Sequence, residues 1–313
     1  MNCNSECKCR ICGERTRSII YAKNRRLNDG RKFQYLICDK CDTLQLNENI
    51  DDMTEYYGTH YGAHKIDDKM KYPKVDFFHK LFVEIVINSS FWWRVKVFRK
   101  YLPGFMILCG TKIKTSMKIL DVGCGNGKWL YDLKKCGYNN LYGCDLFAWG
   151  GVSGIEVIKS DIFGINLDNK FDLITFHHSF EHMNNPFETL ARAKALLNDN
   201  GLIIIRIPLW KSKAWEMYGT DWYQLDPPIH YYLYTEKSIS FICKKIGLQI
   251  SNVIYDSTPN QFYISDRMKY TAFSYNEIKN HMDKKELQKY NKLTEAVNRT
   301  KKGDQAIFYI MKS

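Results

Sequence analysis

Three sets of residues in this 313-residue chain have the types and spacing that chemistry needs. The first is a glycine turn, Asp121-Val-Gly123-Cys-Gly125-Asn-Gly127, which follows an apolar run and leads into a helical pattern. Glycines there let the backbone turn sharply and let a ligand approach without meeting a Cβ, and the helix behind them offers free N–H groups to a negative group. A dinucleotide-binding turn spaces its glycines Gly-x-Gly-x-x-Gly and places its acid about twenty residues further on. Here the spacing is Gly-x-Gly-x-Gly, and Asp121 precedes the first glycine.

The second set joins imidazoles to a carboxylate: His177, His178, Glu181 and His182 run close together, and His230 lies further along. Imidazole titrates near neutral pH and can take a proton from an alcohol. We expect His178 or His182 to serve as that base, with Glu181 orienting or assisting, and His230 is a further candidate on a later loop. Two other readings stay open. His182 can be a structural residue that hydrogen-bonds the backbone of its turn, and His178, Glu181, His182 and His230 together offer four ligands to a metal.

The third set is two Cys-x-x-Cys pairs, Cys9/Cys12 and Cys38/Cys41, with twenty-five residues between them. Each pair can grip one edge of a metal, so the two together close a tetrahedral four-thiolate site. With no open position the site is expected to be structural, with zinc the expected ion and iron the alternative. Cys3 and Cys7 can substitute in register, whereas Cys109, Cys124, Cys136, Cys144 and Cys243 read as ordinary buried thiols.

The elements that must position these groups follow from hydrophobic periodicity. Strands are expected at 118–122, 141–144, 154–158, 171–176 and 202–207, with further apolar runs near 250–255 and 308–311. Helical patterns lie at 128–136, 187–197 and 236–246, and a long helical excursion centres on 284–297. Short apolar strands alternating with amphipathic helices indicate a parallel sheet covered on both faces. The fold class is therefore α/β, doubly wound, with a small cysteine module in front. The expected division is 1–50 for that module, 51–115 for an aromatic, helical linker or cap, and 116–313 for the main domain, with a helical insertion around 265–303.

Bulk composition narrows the partners. The net charge is +12, but residues 116–256 carry 14 Lys and Arg against 15 Asp and Glu, so the excess sits entirely in the flanks. Basic flanks around a neutral core suit an anionic substrate or surface, or else a Lys-rich solvated exterior. The N-terminus lacks an apolar signal region, and no run approaches the ~20 residues that a membrane-crossing helix needs. A reducing cytoplasm is expected, where clustered cysteines point to metal rather than disulfides.

The residues that follow the glycine turn resemble those of class I S-adenosylmethionine-dependent methyltransferases. Asp145, eighteen residues after Gly127, stands where that family places the carboxylate that accepts both ribose hydroxyls, with Leu146 beside it. Asp161, followed by Ile162, stands where the family holds the adenine amino group. Asp172 opens the fourth strand, and the stretch from Pro186 to Pro208 is similar to the family's next helix and fifth strand. The resemblance implies a Rossmann-like methyltransferase sheet that binds S-adenosylmethionine through Asp121, Gly123, Gly125, Gly127, Asp145, Leu146, Asp161, Ile162 and His177. Only about nine residues separate Asp145 from the third strand, so the usual intervening helix is expected to be stunted or replaced by a loop.

A four-cysteine module, then Tyr56-Tyr57-Gly-Thr-His-Tyr61, then this core resembles bacterial sugar C-methyltransferases and methyltransferases of surface-polysaccharide biosynthesis. There the cysteine module contributes to the substrate side, and Tyr57 and Tyr61 become cofactor- or substrate-side candidates. The segments 256–265 and 303–310 look like closing strands of those proteins. The resemblance implies a sugar or glycan acceptor, nucleotide- or lipid-linked, with oxygen favoured over carbon. One rival is a ribosomal or transfer RNA methyltransferase with a zinc module, although no RNA-binding module or long basic run is visible and DNA is not expected. Another is a non-catalytic binding protein that keeps the fold. An arrangement related to the His178–His182 motif, with Glu in the first position, occurs in RNA 3′-end methyltransferases. The aromatic, basic stretch 75–102 reads as a helical layer against the core or a partner subunit, or as helices resting on a membrane surface.

Overall fold

The computed structural model describes residues 7–16, 18–26, 29–50, 52–57, 74, 76–89, 93, 97, 101, 103–148, 152, 154–271 and 273–313. Its centre is a seven-stranded sheet built from β6 (Ile119–Val122), β7 (Leu141–Cys144), β8 (Glu156–Ile158), β9 (Phe171–His177), β10 (Leu197–Pro208), β12 (Leu248–Tyr255) and β13 (Gln305–Lys312), in the order β8-β7-β6-β9-β10-β13-β12. The pairings β6–β7, β7–β8, β6–β9 and β9–β10 are parallel, and β13 runs antiparallel to both β10 and β12. Strand order reverses between β6 and β9, and ligands of open α/β sheets bind at such a switch point, beyond the carboxyl ends of the strands.

The strands are apolar on both faces because helices cover both. Leu120, Val122, Ile203, Ile205, Phe308 and Ile310 enter one core cluster, while their neighbours Ile119, Ile204, Ile307 and Tyr309 enter the other. That alternation is the period of two expected of a sheet buried on both sides. The helix Lys128–Lys135 packs Leu130 and Leu133 into the second cluster; the helices Pro186–Leu196 and Glu236–Lys245 pack Leu190, Ala193, Ile239 and Ile242 into the first. The α/β, mostly parallel architecture expected from the sequence is the one observed.

One expected element differs. Residues 256–265 do not form a strand: Pro259 caps a helix, Asn260–Tyr270, whose Phe262, Tyr263 and Ile264 are fully buried. The short apolar run suits either element, and the proline ahead of it starts a helix. The excursion over 284–297 is two helices, Lys284–Lys289 and Asn291–Arg299, separated at Tyr290. No helix is present among the described residues between β7 and β8, in line with the short connection there.

The N-terminal residues are tied to the rest. Strands β1 (Cys7–Lys8) and β2 (Arg15–Thr16) pair antiparallel with each other, and β3 (Ile19–Lys23), β4 (Lys32–Cys38) and β5 (Thr43–Leu46) form a four-stranded sheet whose fourth member is β11 (Tyr232–Leu233). Register pairs Tyr232 with Gln45 and Leu233 with Leu44, so the loop that carries His230 is stitched to the cysteine-bearing segment. Within 51–115, the helix Phe77–Asn88 buries Val83, Val86 and Ile87 and leaves Phe77, Phe78 and Ile85 exposed. Among the described residues no helix is long and apolar enough to cross a membrane.

Candidate active site

The glycine turn occupies the switch point. Gly123 N and Cys124 N both donate to Cys144 O, at 2.8 and 3.2 Å, which bends the chain over the end of β7. Gly123 has φ of 74°, and a Cβ built on it would lie 2.4 Å from Ser179 Cβ, so only glycine fits against the segment that follows β9. Gly127, at φ 73°, precedes the helix Lys128–Lys135. Gly125 N donates to Asp145 Oδ2 at 2.9 Å, while Asp145 Oδ1 accepts from Phe147 N at 2.7 Å. The carboxylate at the end of β7 is thereby fixed across the turn.

A cavity of about 500 Å3 opens at this point. Asp121, Gly123, Gly125, Asp145 and Leu146 line it on the β6–β7 side, and Asp161 and Ile162 line it beyond β8. His177, His178 and His182 line it at the end of β9, and Tyr57 joins them. Gly127, Glu181 and His230 lie outside its walls. Tyr61 lies outside the described residues.

The polar groups of the cavity are set as follows. Asp121 Oδ1 accepts from Thr175 Oγ1 at 2.7 Å, and burial pushes this carboxyl up to about 7. A carboxylate that lines a cavity with one neutral side-chain partner among the described residues is suited to a cationic group of a ligand. Asp161 Oδ1 accepts from Phe163 N at 3.0 Å, capping a short 3-10 turn. These groups, with a glycine turn that admits no Cβ at Gly123, fit the ammonium, ribose and adenine of S-adenosylmethionine.

His178 is the unusual residue of the histidine segment. Its φ is +55°, and its Nδ1 lies 3.5 Å from Glu181 Oε1, with the imidazole a third exposed and the carboxylate 1 % exposed. Burial alone would raise Glu181, but His178, His182 and His230 together hold it below the usual carboxylate range. His177 differs, because its Nε2 accepts from Arg206 Nη1 at 2.6 Å, and burial and the guanidinium keep it neutral. His182 Nδ1 lies 3.0 Å from both Ile229 O and Tyr57 Oη, and its ring meets that of His230 at 4.8 Å. Burial pushes His230 down to about 4.

The cysteines gather as the spacing predicts. Sγ atoms of Cys9, Cys12, Cys38 and Cys41 all lie within 4.8 Å of one another, and none forms a disulfide. Cys7 is outside the group, with its sulfur 3.5 Å from Asn47 Nδ2. Cys9 is held down to about 5 by a hydrogen bond from Cys41, whose own thiol is pushed up. A cluster that shares protons this way is suited to a cation that replaces them.

The family model described as a methyltransferase domain matches residues 94–253, half of the chain. The chain belongs to the methyltransferase-domain family. It is an S-adenosylmethionine-dependent methyltransferase. Among solved structures it is similar to a SAM-dependent methyltransferase of Archaeoglobus fulgidus, at 20% identity over 76% of this chain and 100% of that one, with a TM-score of 0.43. It is also similar to an O-methyltransferase of a Brevibacillus brevis polyketide multienzyme in complex with S-adenosyl-L-homocysteine, at 15% identity over 66% and 70% with a TM-score of 0.44. A third is the cyclopropane synthase MmaA2 of Mycobacterium tuberculosis, at 16% identity over 67% and 83%, TM-score 0.44. No curated protein matches the chain.

Several cavity residues of this methyltransferase are invisible to sequence reasoning. Phe147 lines the cavity and stacks on Tyr57 at 5.1 Å between ring centres, and Trp129 comes from the helix after the glycine turn. Position two residues after Asp145 is the only signal that could have found Phe147. Asn184 and Asn185 line both this cavity and a neighbouring groove that includes Lys8, Arg10 and Tyr232.

Proposed function

We propose that the cavity holds S-adenosylmethionine and that the methyl group passes to an oxygen of a sugar or glycan intermediate, with His178 as the base. In this reading Asp145 accepts the ribose hydroxyls, Asp161 and the backbone at Ile162 meet adenine, and Leu146 packs against its face. Asp121 and the turn at Gly123–Gly127 take the methionyl end, and His177 forms part of the wall. The acceptor oxygen attacks the methyl carbon, the carbon–sulfur bond breaks, and sulfur keeps the electron pair. His178 takes the hydroxyl proton through Nε2, since its Nδ1 faces Glu181. Alignment of the two reactants supplies most of the acceleration and the base a further factor of about 100 to 10,000.

The observation that carries this reading is that His178, backed by buried Glu181, shares one cavity with Asp145 and the glycine turn. The groove beside it supports an anionic, nucleotide-linked sugar: Lys8 and Arg10 flank Asn184 and Asn185, which reach into the cofactor cavity. Zinc in the Cys9/Cys12/Cys38/Cys41 site would lock that groove in place, since Cys9 lines it. Incubation of the enzyme and S-adenosylmethionine with a panel of nucleotide sugars and with total RNA, read by mass spectrometry, tests the acceptor. A methyl group on a sugar nucleotide supports the reading; methylation of RNA alone overturns it.

A further inference from the structure

Glu181 is the carboxylate beneath His178, and it has a second set of neighbours. One carboxylate oxygen of Glu181 and one ring nitrogen each of His182 and His230 lie within 4.8 Å of one another. Apart from His178 Nδ1, 3.5 Å from Oε1, neither Glu181 oxygen meets a donor among the described residues, although the side chain is 1 % exposed. A buried carboxylate left this way is costly.

The tautomers of the two imidazoles follow from their partners. His182 Nδ1 is 3.0 Å from Ile229 O, and His230 Nδ1 is 2.8 Å from Gln224 O. A carbonyl oxygen only accepts, so both Nδ1 atoms carry the hydrogen. Tyr57 Oη, 3.0 Å from His182 Nδ1, shares that N–H as a second acceptor. Each ring is left with a lone pair on Nε2. The Glu181 carboxylate and the two Nε2 lone pairs are all acceptors, and none of the three groups brings a donor for another. Backbone carbonyls that fix the far nitrogen of an imidazole are the usual outer shell of a metal-bound histidine.

We propose that Glu181, His182 and His230 form a site for a divalent transition-metal cation directly behind the cavity wall that His182 contributes. Two imidazoles and one carboxylate are a donor set for zinc, iron, manganese or cobalt rather than for calcium or magnesium. Three protein ligands leave positions open to an acceptor hydroxyl, whose proton is then released more readily to His178. Only this last step rests on the methyl-transfer reading of the cavity. Arg26 braces the site from the N-terminal segment by pairing with Asp226, four residues before His230 and also in hydrogen-bond contact with its backbone.

The test is a titration of the purified protein, its four-cysteine site already loaded, with Co2+. The expected result is one further ion per chain, with weak visible bands from nitrogen and oxygen ligands and no thiolate charge-transfer band. Glu181→Gln and His230→Gln are each expected to weaken that ion by about 100-fold or more while the thiolate site stays intact. Absence of a further ion in the unaltered protein overturns the proposal, and so does an ion retained with the same affinity in both variants. S-adenosylmethionine binding is followed in the same samples. Its loss in the unaltered protein would count against the cofactor reading and leave the ion count to decide the metal.

Discussion

Arg206 on β10 and His177 on β9 sit at paired positions of neighbouring parallel strands, and the guanidinium Nη1 donates to His177 Nε2 at 2.6 Å. The same guanidinium donates through Nε to Asp256 Oδ2 at 2.7 Å, and Gln305 Nε2 reaches the other Asp256 oxygen at 3.0 Å. One part-buried cation thus fixes the tautomer of a cavity-wall histidine and neutralises the buried carboxylate that follows β12. Replacing Arg206 by Met leaves buried Asp256 with the Gln305 amide but without its counter-charge, which costs about 3–5 kcal/mol. Urea unfolding of Arg206→Met measures this, and a loss below about 1 kcal/mol would contradict the assignment.

His178 and His177 are adjacent in sequence yet differ in role. His178→Ala is expected to lower kcat by about 100-fold or more with cofactor affinity unchanged, because only the proton acceptor is lost. His177→Asn is expected to keep most of the turnover, since Arg206 holds His177 neutral and engaged. Steady-state kinetics of both variants on the acceptor found by mass spectrometry separate the two. Equal losses would place the base elsewhere.

Burial raises Asp121 to about 7, and the positive ammonium of S-adenosylmethionine favours its ionised form. The free protein then holds a proton on Asp121 below about pH 7 that the complex releases. Cofactor affinity is therefore expected to rise with pH between 6 and 7 and to level off above the raised value. Calorimetry in buffers of different ionisation enthalpy should detect up to one proton released per cofactor at pH 6. Asp121→Asn should abolish that release; an unchanged proton count would contradict the assignment.

Gly123 tests the glycine turn. A methyl group there meets Ser179 Cβ at 2.4 Å on a backbone with φ of 74°. Gly123→Ala is expected to cost about 1–3 kcal/mol in stability and to weaken the cofactor together with it. Thermal unfolding with and without S-adenosylmethionine reads both effects, and an unshifted melting temperature would show that the turn can relax.

What was legible in the sequence is what is local. The glycine turn, Asp145 at the end of its strand and the two Cys-x-x-Cys pairs declare themselves because spacing alone dictates their geometry. The structure collects Cys9, Cys12, Cys38 and Cys41 and leaves Cys7 aside, a distinction that the spacing did not make. What stayed hidden depends on distant pairings. β11 is two residues long, too short to carry a period, yet its pairing with β5 brings His230 against Glu181 and His182. Residues 198–201, Asn-Asp-Asn-Gly, look like a turn but form the bulged start of β10. The helix at Asn260–Tyr270 took the place of an expected strand because its apolar run was short enough to fit both.

Binding of S-adenosylmethionine tests the central claim most directly, by isothermal titration of the unaltered protein and of Asp145→Asn. One site per chain is predicted for the first. For the second a loss of about 10- to 100-fold is predicted, since a neutral amide accepts the ribose hydroxyls more weakly than a buried carboxylate. No binding heat in the unaltered protein, or equal affinity in the two, would contradict the account.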